Sequence, residues 1–174
     1  MIKLWLCAVM LLAWPAAAQA PDEIQPIQRH LEKLYLGDSL SSVQRIYRPT
    51  QEWPSYIEPR GRVKRVRVER AYAKNLPAGI ATIWLGFKLD RLVEVQIIYD
   101  QDYTRQHPAD EIAGGYALIY GEARRSEEKF WWSDSRTVLR VYNAELPGRK
   151  VAGKSVEMRT SVQIFERDLF RRTD

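Results

Sequence analysis

Cysteine is almost missing from the chain. The single residue, Cys7, lies in an apolar stretch near the start, so neither a disulfide nor a cysteine-based metal site can brace the rest of the protein. Histidine is scarce too, and His30 and His107 are too far apart in sequence to have the ligand spacing of a metal centre. There is no glycine-rich phosphate loop, and no cofactor is expected. Long hydrophobic runs are also lacking. The best of them, Leu4 to Trp14, falls short of the roughly 20 apolar residues needed to cross a bilayer.

That short run has a different meaning. Lys3 precedes it as a positive start, and Pro15-Ala16-Ala17-Ala18-Gln19-Ala20 comes after it as a small-residue end, which together make a secretory signal peptide over residues 1–20. Cleavage is expected after Ala18 or Ala20, and Cys7 leaves with the leader. It is too early, and too deep in apolar company, to be a lipidated cysteine. The remainder, about 150 residues, is enough for one packed core. Its 26 basic residues stand against 22 acids, a formal charge of +4 in place of +5. We therefore expect a periplasmic or secreted protein without a transmembrane segment after cleavage. Its expected partners are an envelope protein or an anionic cell-wall component, and not nucleic acid.

The strongest pattern is Ile80–Tyr99. Ile83, Leu85 and Phe87 share one face of a first strand, Val93, Val95, Ile97 and Tyr99 share one face of a second, and Lys88 to Arg91 makes the turn. Such alternation predicts an antiparallel sheet with one buried face. Ahead of it, residues 21–34 read as a lead-in with a short helix near Ile27–Leu34. Then Asp38 or Ser39 caps a helix carrying Leu40, Val43, Ile46 and Tyr47, which Pro49 ends. Pro49, Pro54 and Pro59 hold an irregular segment, and a basic edge strand runs from Arg62 to Arg70 after it.

After a polar link, Asp100 to His107, a second helix starts at Pro108, carries Ile112, Tyr116, Ile119 and Tyr120, and closes at Gly121. Gly114 and Gly115 within it suggest close packing on a sheet. Three strands complete the chain: Phe130–Trp132, Thr137–Asn143 and Ser155–Glu166. The expected fold is α+β, with two αβββ units, residues 35–104 and 105–174, forming an antiparallel sheet with two helices packed on one face.

This order resembles small envelope domains of the SmpA/OmlA type, the fold of the BamE lipoprotein, and the tandem form found in β-lactamase inhibitor proteins. The resemblance rests on Leu36-Gly37-Asp38-Ser39-Leu40-Ser41-Ser42-Val43, and on Tyr120-Gly121-Glu122-Ala123 followed by Phe130-Trp131-Trp132 and Val138-Leu139-Arg140-Val141. The chain departs from the family in lacking a lipobox and a glycine-x-proline after each helix. The resemblance implies a non-catalytic module that presents a sheet face to another protein.

One motif points elsewhere. Gly37-Asp38-Ser39-Leu40 spells the signature of GDSL esterases, in which the serine attacks an acyl carbonyl and a histidine, oriented by an aspartate three residues before it, takes the proton. Here Thr104 precedes His107 at that offset and Ile27 precedes His30. Ser39 is therefore read as a helix cap, with a Ser39 esterase as the alternative function. The acidic pairs Asp100 with Asp102, Asp110 with Glu111, and Glu127 with Glu128 suit turns and helix starts. What remains is a binding surface: Arg62, Lys64, Arg65 and Arg67 on the basic strand, with Trp84, Trp131 and Trp132, if these share one face. The competing reading is a charged edge strand with tryptophans tucked under loops.

Overall fold

The computed structural model describes residues 25–59, 62–146 and 157–170, so the leader expected over residues 1–20 lies outside the described residues. The first element is a two-stranded ribbon, β1 (His30–Leu31) and β2 (Leu34–Tyr35), in place of the short helix expected there. Glu32 turns the chain between them with a φ of 53°.

The body is one eight-stranded antiparallel sheet. A first meander consists of β3 (Ser55–Glu58), β4 (Val63–Glu69), β5 (Ile80–Lys88) and β6 (Arg91–Tyr99). A second consists of β7 (Arg124–Ser126), β8 (Lys129–Ser133), β9 (Thr137–Leu146) and β10 (Glu157–Glu166). The last strands of the two meet at the centre, giving the order β3-β4-β5-β6-β10-β9-β8-β7. Three short helices, α1 (Leu40–Ile46), α2 (Gln101–Gln106) and α3 (Ala109–Tyr120), complete the set among the described residues. The division expected at 104/105 lies inside α2.

The expected α+β class of two αβββ units is thus corrected: the molecule is mainly β with few helices. Each meander has a fourth strand that the pattern conceals. β7 is exposed along its length and β3 nearly so, so neither has a buried face to impose alternation, and β3 lies between Pro54 and Pro59 where an irregular segment is expected. The helices are correspondingly minor, at seven, six and twelve residues.

The apolar face of the sheet carries the core. Val66, Val68, Ile83, Leu85, Val95, Ile97, Leu139, Val141, Val162 and Ile164 are buried there, and Val43, Tyr47, Ala109, Ala113 and Tyr120 cover them. At the tip of the central hairpin, Leu89 and Asp90 both have positive φ, 50° and 59°, as a two-residue type I′ turn requires. Next to it Gly86 pairs with Glu94, but Phe87 pairs with Leu92. Val93 is therefore the extra residue of a β-bulge, and Leu92 takes the place in the core that alternation assigns to Val93.

α1 begins where Ser39 Oγ accepts the Ser42 backbone N–H at 3.2 Å. α3 packs on β8 and β9 through Ala109 and Ala113, one turn apart. Gly114 and Gly115 face outwards, with nothing within 4 Å of where a Cβ would sit, so they are not the close-packing residues expected. Ile119, expected in the buried stripe, is half exposed. Among the described residues no helix is long and apolar enough to cross a membrane.

Candidate functional site

The other side of the sheet is built from the alternate residues of the same strands, and none of the three helices packs on it. Because directly paired residues in an antiparallel sheet point to one side, the registers define rows across it. The longest runs Arg67–Trp84–Gln96–Gln163–Arg140–Trp131–Arg124 and crosses seven strands from β4 to β7. Parallel to it lies Arg65–Gly86–Glu94–Phe165–Val138. On the other flank are Thr82, Ile98, Ser161, Tyr142 and Lys129.

Arginines lie over aromatic rings along this face. The Arg67 guanidinium is 5.9 Å from the Trp84 ring and 6.0 Å from that of Tyr72, while Tyr56 meets Trp84 edge-on at 6.1 Å. In the second meander Arg140 lies 4.6 Å over Phe165 and 5.9 Å from Trp131. Such contacts hold long cationic side chains flat and half-buried, which lowers the entropy lost when a partner settles on them.

The middle of the face is wired by polar bonds. Glu94 is fully buried; its Oε1 accepts from Arg65 Nη1 at 2.6 Å and from Gln163 Nε2 at 2.6 Å. Arg65 also reaches Glu58 at 3.1 Å. Burial works against the Arg65 charge, but the Glu94 and Glu58 carboxylates outweigh it and hold its pKa above the ordinary arginine value. Arg140 shows the opposite balance: burial dominates, and its pKa is lowered. Gln96 Nε2 donates to Tyr142 Oη at 2.8 Å and to Ser161 Oγ at 3.2 Å, tying β6 to β9 and β10. A groove of about 620 Å³ runs past Gln96, Tyr142 and Lys129 to Glu127 and Met158.

Of the seven residues expected to form a binding surface, four are on this face: Arg65, Arg67, Trp84 and Trp131. Trp132 is not. It points into the core at 5 % exposure, and its indole N–H donates to the Gly121 carbonyl at 2.8 Å, because Trp131 and its neighbour must point to opposite sides of β8. Lys64 is on the helix-bearing side, in a groove with Leu40, Phe87 and Leu89. Arg62 is exposed in the turn before β4, with a φ of 50°. Sequence reasoning misses Arg140, Gln163 and Arg124. Arg140 and Tyr142 alternate with Leu139 and Val141, and that period of two is the available signal.

The groups weighed for chemistry have other employment. Ser39 is the α1 cap and bonds Ser41 and Ser42. His107 Nδ1 is 3.0 Å from Glu111 on the adjoining helix, and His30 packs on Tyr35 at 4.9 Å between ring centres. Among the described residues no group of three or more histidines and carboxylates is arranged to hold a metal ion. No family model, curated protein or solved structure matches this chain.

Proposed function

We propose that the chain is an exported, non-catalytic binding module, periplasmic or secreted, that holds another protein of the bacterial envelope against the open face of its sheet. The observation that carries this reading is the row from Arg67 to Arg124, in which three arginines, two tryptophans and two glutamines cross seven strands on the side that the helices leave uncovered. Tryptophan, tyrosine and arginine are the side chains that concentrate binding energy at protein interfaces, and here the rings and guanidinium groups are already ordered against one another. The leader-like residues 1–20 support export, and the resemblance to small envelope domains supports a sheet-presenting module.

The test is capture from envelope extract by the immobilised mature chain, with the same extract passed over variants. Trp84→Ala and Arg67→Ala should each lose the captured species, while Leu118→Ser, on the outer face of α3, should keep it. Capture that is indifferent to both face variants would end the proposal, and retention of an acidic polysaccharide in place of a protein would redirect it.

A further inference from the structure

The arginines of the open face differ in how they are balanced. Arg65 is paired with Glu58 and Glu94, Arg67 lies 3.5 Å from Glu69, and Arg159 bonds Glu157 at 2.7 Å. Each of these cations has a carboxylate of its own chain on the same face. Arg124 and Arg140 have none within ion-pair distance among the described residues. They flank Trp131 directly on its two neighbouring strands, so their Cα atoms stand about 10 Å apart with the indole between them. Glu122 lies two residues before Arg124, and Glu127 and Glu128 follow in the turn between β7 and β8, but none of the three makes an ion pair with Arg124 or Arg140.

The site is also rich in donors without acceptors. Arg140 Nε and Trp131 Nε1 have no hydrogen-bond partner among the described residues, a state that Arg67 Nε and Arg159 Nε share. Buried N–H groups left in this state are costly. The Arg140 guanidinium is flanked by the rings of Phe165 at 4.6 Å and Trp131 at 5.9 Å, which restrict its movement before anything arrives. A carboxylate is the group that such a fork matches, with two oxygens to two N–H donors.

We infer that Arg124, Trp131 and Arg140 form an anchor for an acidic side chain, Asp or Glu, on the surface of a protein partner. This rests on the reading of the open face as an interface and specifies where the partner must carry negative charge. The Arg67–Trp84 end, whose arginine already has Glu69, then contributes aromatic contact, and the Arg140 end contributes charge recognition. The partner is oriented on the sheet by this difference.

The experiment uses the mature chain and an oligoglutamate peptide, with an oligolysine peptide of equal length as the reverse-charge probe and anionic phospholipid vesicles as the alternative source of negative charge. At low salt, oligoglutamate should bind and oligolysine should not, and binding should fall steeply as salt is raised. Arg140→Ala should weaken oligoglutamate at least tenfold, and exposed Arg124→Ala should weaken it severalfold without affecting the fold. Arg140→Lys should be intermediate, since it keeps a charge but loses the planar fork. Arg45→Ala, on α1, should match the unmodified chain. Unchanged oligoglutamate binding in both Arg124→Ala and Arg140→Ala overturns the inference, as does tighter binding to the vesicles than to the peptide. If oligoglutamate fails to bind while envelope capture still depends on Trp84 and Arg67, the anchor is wrong and the interface stands. If capture ignores both ends of the row, the interface itself is wrong.

Discussion

Arg65 and Glu94 meet at 2.6 Å beneath the open face, on strands that do not touch, with Gly86 of β5 between them. Glu94 has no exposed surface, and its second partner, Gln163, belongs to the other meander. One carboxylate therefore joins three strands and both halves of the sheet. Removing one partner of a buried pair strands the other, at a cost of about 3–5 kcal/mol, whereas replacing both with apolar groups avoids that penalty. Arg65→Ala should fall in this range in urea unfolding, as should Glu94→Ala. Arg65→Met combined with Glu94→Leu should be less destabilised than the sum of the single changes, and strict additivity would show that the pair is not coupled.

Gly86 is what lets that carboxylate lie flat. A Cβ built there would sit 3.1 Å from Val63 Cγ1, 3.1 Å from Glu94 Cβ and 3.2 Å from Glu94 Oε2. Gly86→Ala should destabilise by about 1–3 kcal/mol as an overpacking change. Gly114→Ala should do the reverse and stabilise by up to about 1 kcal/mol, since its surroundings are open and alanine favours the helix. Thermal midpoints of the two variants must move in opposite directions.

Ser39 separates the structural reading of its motif from the chemical one. As the α1 cap, it should cost about 1 kcal/mol when replaced by alanine and almost nothing when replaced by aspartate, which caps equally well. A nucleophile has no such tolerance. Ser39→Asp should therefore keep both the stability and the envelope capture of the unmodified chain, with no serine-dependent turnover of short acyl esters in either.

The open face is partly legible in the sequence. On the central hairpin, Trp84, Gly86, Glu94 and Gln96 alternate with Ile83, Leu85, Val95 and Ile97, and a period of two assigns them to one side. What alternation within a strand cannot provide is the partner strand. Gln96 faces Gln163 because β6 pairs with β10, and no local pattern connects segments so distant in sequence. Trp131 and Trp132 illustrate the same limit: one of two consecutive tryptophans must face inwards, and the register of Trp132 against Leu139 decides which. α2 looks like a polar link because its six residues bury nothing, so no apolar stripe marks them; only the Asp100 cap, accepting the Tyr103 N–H at 2.9 Å, announces a helix. Val93 misleads for a different reason. A bulge interrupts the period itself, and nothing in Leu92-Val93-Glu94 advertises one.

Asp134 gives the fold a defined acid sensitivity. Its Oδ1 accepts the backbone N–H groups of Arg136 and Thr137, each at 2.7 Å, and its Oδ2 accepts that of Ile27 at 2.9 Å, which pins the N-terminal segment to the β8–β9 turn. Burial opposes ionisation, but these three donors together with the Arg29 charge outweigh it and hold the carboxyl below its ordinary range. With the folded pKa below the unfolded value of about 3.9, the unfolded chain binds more protons in the interval between them, so stability rises with pH there. The contribution of Asp134 is complete above the unfolded value and is lost as pH falls through the folded one. Asp134→Asn, which cannot ionise, should be less stable than the unmodified chain at neutral pH, and the two should converge as the medium is acidified below about pH 4. Urea unfolding measured across that interval decides it, and a constant gap between the two chains at every pH would assign the loss to hydrogen-bond geometry instead of charge.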